Sequence, residues 1–255
     1  MNMLLVLLCI IAFLAGFVDA IVGGGGLLQT PAALVLMPQQ PVSTVIGTLK
    51  IPSFTGTSLA AVQYARKVSF DRRQIVAMMA IAMLAAFGGS TLLTVVSNRF
   101  MRPVLLVILI AVAIYTLLNK NFGTHSTKLV SRKQEWIRSI LISLVLGFYD
   151  GFIGPGAGSF LVLSFISLLG FDFLRASAHA RFVNLATNLG SIALFAIRGK
   201  IIFGIAIPMA ICNGVGGLLG ARLALLRGNR FSRTLFLIVV IGTIARFAYE
   251  VVVSL

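Results

Sequence analysis

The chain has 255 residues, of which 59% are hydrophobic and only 11% charged, and its formal net charge is +15. Ordinary globular domains are about half apolar and about a quarter charged, so this composition excludes a soluble fold and predicts an integral membrane protein. The basic residues cluster between apolar stretches, as in cytoplasmic loops of membrane proteins, and this explains the charge without nucleic-acid binding.

Apolar stretches follow one another along the whole chain, and most approach the about 20 residues that a helix needs to cross a bilayer. Two shorter apolar pieces, 27–37 and 159–169, each follow glycines and would span about half of the hydrocarbon core. The sequence therefore predicts an all-α polytopic membrane protein with about eight to ten membrane segments, including two short broken helices interrupted by glycine and proline. The longer stretches are 3–22, 42–65, 75–96, 103–118, 139–153, 182–197, 201–221 and 234–254.

Sequence motifs from the first half of the chain recur in the second half at a constant offset. The sequence GFVDAIVGGGG at Gly16 returns as GFYDGFIGPGA at Gly147, and NRFMR at Asn98 returns as NRFSR at Asn229. We predict a first membrane repeat at 1–118, a basic polar linker at 119–137 and a second membrane repeat at 138–255. Loop charges favour, by a small margin, five crossings in each half and hence inverted repeats; four crossings in each half, giving parallel repeats, are the alternative.

Asp19 and Asp150 occupy equivalent places in the two copies, within predicted membrane segments. A carboxylate in the membrane costs about 2.5–3.5 kcal/mol even on a lenient scale, so it usually faces a cavity or a partner. Two interpretations stay open. The aspartates couple transport to protons or gate the substrate, or their side chains cap backbone N–H groups that the following glycines leave unpaired.

Glycines follow each aspartate and are candidates for substrate binding. Glycine tolerates positive φ and leaves no side chain between backbone and ligand, so its N–H groups can point at an anion. Close packing of helices through small residues is the alternative. The glycines singled out are Gly24, Gly25 and Gly26 in the first half and Gly156 and Gly158 in the second.

Lys50 and Arg181 form another equivalent pair, and each begins a polar face on a predicted helix. Residues three and seven positions further along lie on that same face. Two positive charges with four hydrogen-bonding groups predict a cradle for a small anion within the lipid bilayer. The four groups are Ser53 and Thr57 after Lys50, and Asn184 and Asn188 after Arg181.

Three further features have weaker interpretations. His179 is a candidate for proton coupling, although a lone histidine among small residues is more often a structural hydrogen bonder. Cys9 and Cys212 lie in apolar segments without a CxxC motif, so neither a disulfide nor a metal is indicated, and no cofactor is predicted. Faces of small residues around Gly214 and Gly220 could pack within one chain or between chains, which leaves a homo-oligomer open.

The motifs at 16–34, 147–160 and 178–195 resemble the TauE/SafE sulfite exporter family, and among its members the YfcA-like subgroup, which has lysines at the positions of Lys50 and Arg181. The resemblance covers essentially the whole chain. It implies a permease of the bacterial inner membrane for sulfur-containing anions such as sulfite, sulfonates and sulfoacetate.

A passive anion channel and an intramembrane enzyme are the alternatives to a transporter. A passive anion channel would suit the charged residues, but broken helices and paired carboxylates favour alternating access. An intramembrane serine hydrolase would need a nucleophile and a base, and Ser159 with His179 is the pairing that the sequence offers. Its chemistry has no use for a duplicated site, so we do not predict an enzyme.

Overall fold

A computed structural model of the chain describes residues 3–97, 99 and 131–253. The apolar stretch 103–118 and linker residues 119–130 lie outside these ranges. The described residues form helices and no strand, which confirms the predicted all-α class. The helices are α1 (Met3–Val22), α2 (Gly25–Leu36), α3 (Val42–Ala65), α4 (Arg72–Val95), α5 (Arg132–Phe152), α6 (Ala157–Leu169), α7 (Phe173–Ile197) and α8 (Phe203–Val253), the last kinked at Gly228.

Helix bounds agree with the hydrophobic pattern for α1 and α3, and α2 and α6 are the two short helices that the sequence predicts. Two helices start earlier than their apolar stretches because polar caps extend them. Ser131 Oγ accepts from the N–H of Gln134, so α5 includes residues 132–137 of the predicted linker. Asp172 Oδ1 accepts from the N–H of Arg175 and starts α7 at Phe173. Such caps satisfy N–H groups that have no partner within the helix.

Among the described residues, four helical segments are long and apolar enough to cross a membrane: α1, α4, α7 and the part of α8 that runs from Phe203 to Gly228. Together with the short apolar helices α2 and α6, they make the chain a multi-pass membrane protein. Helices α2, α3 and α4 begin at 25, 42 and 72, whereas α6, α7 and α8 begin at 157, 173 and 203. This nearly constant offset supports the predicted repeat, which stays a prediction, as does its inversion.

The bundle is built around α3 and α7, which contact each other. Helix α8 packs against α1 and α3, and helix α4 packs against α5 and α7. Small residues permit these close contacts: a carbon added to Gly216 would overlap Phe13, and one added to Gly220 would overlap Phe17. The small-residue face of α8 therefore packs within the chain at these positions, and a homo-oligomer stays a prediction.

Two apolar clusters lie at opposite ends of the central helices. At the start of α7, the rings of Phe70, Phe165, Phe171 and His179 pack together, with ring centroids 4.9–6.3 Å apart; we call this the aromatic cluster. At the end of α7, Phe195 packs with residues of α3, α4 and the end of α5; we call this the Phe195 cluster. The polar residues of α3 and α7 lie between these clusters.

Candidate functional site

The two helix breaks, one between α1 and α2 and the other between α5 and α6, lie against each other. A carbon added to Gly23 would overlap Gly158, and one added to Gly158 would overlap Gly23. Gly23 has a φ of 81° and Gly156 a φ of 80°. Side chains rarely adopt this conformation, so glycine is needed here both for the backbone turn and for the close approach. The breaks bring the predicted glycines of the two halves to one place.

Lys50 on α3 forms a buried ion pair with Asp150 near the end of α5. The Lys50 Nζ lies 3.0 Å from Asp150 Oδ1 and donates to the Asp150 carbonyl at 2.8 Å. Thr187 Oγ1 donates to Asp150 Oδ2, and Asn184 Nδ2 lies 3.5 Å from the same oxygen. Both side chains of the pair are at least 94% buried. Asp150 is therefore a carboxylate whose two oxygens are both occupied by protein donors.

Arg181 on α7 forms the second ion pair, with Asp19 near the end of α1. Its Nη1 donates to Asp19 Oδ2 at 2.9 Å, and the N–H of Gly25 donates to Asp19 Oδ1 at 3.2 Å. The contact with Gly25 is of the kind that the second interpretation of the aspartates predicts, in which the side chain accepts from a backbone N–H near the glycines. The Arg181 side chain is fully buried, yet its Nε and Nη2 have no hydrogen-bond partner among the described residues.

The ion pairs cross between the two predicted halves. Lys50 of the first half contacts Asp150 of the second, and Arg181 of the second contacts Asp19 of the first. Asp19 and Asp150 lie 131 positions apart in the sequence, as do Lys50 and Arg181, so each pair joins residues at matching positions of the predicted repeats. Each half supplies the counter-ion that the other half needs.

A cavity of about 50 Å³ lies between the ion pairs and the helix breaks. This volume is enough for ordered water, since the site of one water needs about 10–15 Å³. Its charged and polar lining includes the predicted residues Asp19, Lys50, Ser53, Asp150, Asn184 and Asn188. The predicted glycines Gly25, Gly26, Gly156 and Gly158 also line it.

Four predicted residues lie outside the cavity lining. Thr57 donates to Asn184 Oδ1 at 3.2 Å and so supports a residue that lines the cavity. Arg181 reaches the site through Asp19, and Gly24 caps the start of α2. His179 belongs to the aromatic cluster, where its Nδ1 lies 2.8 Å from the Arg175 carbonyl. A role for His179 in proton coupling stays a prediction.

Sequence reasoning missed three polar residues that line the cavity, Thr30 and the amides Gln29 and Asn213. Gln29 on α2 and Asn213 on α8 are both buried, and Asn213 Nδ2 donates to Gln29 Oε1 at 3.1 Å. The search for duplicated residues passed over them because the equivalent positions in the other half hold Phe160 and Ala82. A search for amides within apolar helices would have found both.

The hydroxyl of Ser159 bonds a backbone carbonyl. Its Oγ donates to the Val22 carbonyl at 3.4 Å, whereas His179 packs in the aromatic cluster. The pairing of nucleophile and base that a serine hydrolase needs is therefore not formed by these two residues.

Comparison with known proteins gives consistent matches along the chain. A family model described as sulfite exporter TauE/SafE matches residues 8–247. A probable membrane transporter protein ORF9 of Sinorhizobium sp is 34% identical over 244 residues, covering 95% of this chain and 92% of the relative. A probable membrane transporter protein of Haemophilus influenzae is 32% identical, with coverages of 98% and 96%. The probable membrane transporter protein YfcA of Escherichia coli K12 is 33% identical, with coverages of 97% and 91%. No solved structure matches.

Proposed function

Because the chain belongs to the TauE/SafE sulfite exporter family, whose named relatives are membrane transporters and not enzymes, we propose that it is a proton-coupled permease for small sulfur-containing anions. Sulfite, sulfonates and sulfoacetate are the substrate class. The permease works by alternating access in the inner membrane of a bacterial cell.

Arg181 carries the proposal. A buried guanidinium normally has acceptors for most of its N–H groups, because leaving a buried donor unpaired costs about 1–3 kcal/mol. Here Asp19 satisfies Nη1 while Nε and Nη2 have no partner among the described residues. Guanidinium binds oxyanions through two parallel N–H groups. An oxyanion that takes the place of Asp19 beside Arg181 would meet donors that the protein has not used.

Charge balance links this anion to a proton. With both aspartates ionised, the two ion pairs are neutral as a set, since two cations face two carboxylates. Adding an anion would leave net negative charge in a site of low dielectric, which is costly. Protonation of one aspartate removes that excess and releases its cation for the anion. By linkage, anion binding and protonation then favour each other to the same extent.

Asp19 is the better candidate for this proton. Its side chain is 21% exposed and lines the cavity, whereas the Asp150 side chain is 4% exposed and holds donors on both oxygens. We therefore assign proton coupling to Asp19 and a structural role with Lys50 to Asp150.

Alternating access is supported by the position of the cavity. It lies between the aromatic cluster and the Phe195 cluster, one at each end of α7. Each cluster can act as the closed gate on its side, so separating one while the other stays packed would open the site to one face of the membrane.

Flux through purified protein in liposomes tests the proposal. We expect sulfite or ethanesulfonate to accumulate when a proton gradient is applied in the direction of transport. The variant Asp19→Asn should still exchange these anions but should lose the response to the gradient, because Asn cannot titrate. The matched control is Asp71→Asn, which changes an aspartate at the start of α4 outside the site.

Two results would contradict the proposal. Gradient-driven accumulation by Asp19→Asn at the wild-type rate would remove this carboxylate from the coupling mechanism. Flux that runs only down the anion gradient in the wild type, at a rate indifferent to pH, would instead identify a passive anion channel.

A further inference from the structure

The amide of Gln29 is a polar group of the cavity that takes no part in the ion pairs. Its side chain is 98% buried and lines the cavity, and its Nε2 has no hydrogen-bond partner among the described residues. A buried N–H without an acceptor costs about 1–3 kcal/mol, so such a group usually serves a ligand or a bound water.

Asn213 holds this amide in place. Its Nδ2 donates to Gln29 Oε1 at 3.1 Å, which leaves the nitrogen end of the Gln29 amide as the unpaired end. Asn213 itself is packed into a space that two glycines provide. A carbon added to Gly16 would lie 2.7 Å from Asn213 Oδ1, and one added to Gly56 would overlap the same atom. The donor is therefore fixed in position before any ligand arrives.

This pair of amides makes the two sides of the cavity unlike each other. The positions equivalent to Gln29 and Asn213 hold Phe160 and Ala82, which offer no side-chain donor or acceptor. A symmetric site would suit an anion of any orientation, whereas a neutral donor on one side gives the bound anion a preferred direction.

We propose that Gln29, positioned by Asn213, is a specificity-determining residue that donates a hydrogen bond to an oxygen on the uncharged part of an organic anion. The inference rests on the proposed function, in which the charged sulfonate group is bound next to Arg181. It favours sulfonates that carry a hydroxyl or carbonyl oxygen over those with a purely apolar tail. A site built to hydrogen-bond a substrate discriminates against an analogue that lacks the acceptor, because the buried donor then stays unpaired.

Two sulfonates of nearly equal size test this assignment. Ethanesulfonate and 2-hydroxyethanesulfonate differ by one hydroxyl group, and their affinities for the purified full-length protein can be measured by calorimetry or by thermal shift. We expect the wild type to bind 2-hydroxyethanesulfonate about 10-fold to 100-fold more tightly. The variant Gln29→Met keeps the length of the side chain and should abolish this preference while leaving ethanesulfonate binding within about 3-fold of the wild type. Gln134→Met, an exposed position on α5, is the matched control.

Each outcome decides between the inference and the function on which it rests. If neither sulfonate binds the wild type, the proposed substrate class is wrong and the inference fails with it. If both bind but Gln29→Met weakens them equally, or leaves the preference intact, the permease stands and the specificity role is overturned. Should Gln29→Met fail to fold, Asn213→Ala releases the same amide, and a wild-type preference in that variant would equally overturn the inference.

Discussion

The two ion pairs of the site have equivalent positions in the sequence but different surroundings. Asp150 is nearly fully buried and accepts from Lys50 and Thr187, with Asn184 close by. Asp19 is partly exposed to the cavity and accepts from Arg181 and a backbone N–H. In the first pair both carboxylate oxygens have donors, whereas in the second two nitrogens of the cation, Nε and Nη2 of Arg181, have no acceptor among the described residues.

We propose that this difference separates a structural role from a functional one. A buried pair whose members bond each other resists ligand exchange, since any change leaves a charge or a donor unpaired. A pair with unused donors next to a cavity can exchange its partner. Residues that differ between the two predicted repeats, such as Thr187 at the position that matches Gly56, account for the different surroundings of the two pairs.

The largest expected effect comes from removing the saturated carboxylate. Asp150→Asn should lower the free energy of unfolding by about 3–5 kcal/mol, because it leaves the buried Lys50 ammonium without a counter-ion. Asp19→Asn should cost less, about 1–3 kcal/mol, because the cavity admits water beside Asp19 and Asn keeps an acceptor for Arg181. Thermal or denaturant unfolding in detergent measures both.

The double variant Lys50→Met with Asp150→Asn serves as the control for this prediction. Removing both charges should recover part of the stability that Asp150→Asn loses, since no unpaired ion remains. Equal losses of stability in the two aspartate variants would mean that the two ion pairs do not differ in their contribution to the fold.

A smaller effect is expected from Thr187, which occupies the second oxygen of Asp150. Thr187→Val keeps the shape of the side chain and removes the donor, so stability should fall by about 1–3 kcal/mol. Thr55→Val is the matched control, because the Thr55 hydroxyl bonds only the Ile51 carbonyl within its own helix. The measurement is the unfolding midpoint of each variant. An equal shift in both would mean that the hydrogen bond from Thr187 to Asp150 adds no stability of its own.

Arg181→Lys probes the unused donors of the second pair. Lysine keeps the charge beside Asp19 and removes the planar fork, so stability should change by less than about 1 kcal/mol while anion affinity falls about 10-fold. Binding of ethanesulfonate, compared with that of the exposed control Arg198→Lys, measures the effect. Wild-type affinity in Arg181→Lys would show that the unpaired nitrogens do not contact the anion.

Much of this site follows from the sequence because polar residues are costly in a membrane and must converge. The constant offset between the repeated motifs identified Asp19, Asp150, Lys50 and Arg181, and helical spacing placed Ser53 and Asn184 beside them. The fold class and the short helices followed from hydropathy and glycine.

The crossing of the pairs could not be predicted, because it depends on how α3 and α7 pack against helices of the other half. Sequence spacing reports which residues share a helix face but not the distance between helices. Gln29 and Asn213 were missed for a related reason, since a search for repeated residues is blind to positions where the halves differ.

The smallest expected effect belongs to one of the ion pairs outside the site, between Arg132 and Asp71. Arg132 is 86% exposed, and exposed ion pairs contribute little to stability, so Arg132→Gln should leave the unfolding midpoint unchanged near neutral pH.

The pKa of Asp71 is held below its usual 3.8 chiefly by the N–H of Gln74, with a smaller contribution from Arg132. Asp71 therefore stabilises the fold above pH 3.8, and this contribution is lost as the pH falls through the lowered pKa. Unfolding midpoints measured from about pH 6 to about pH 2.5 should show an acid loss that Asp71→Asn removes and Arg132→Gln keeps. If Arg132→Gln instead destabilises the protein as much as Asp19→Asn does, burial is not what distinguishes the ion pairs of this protein.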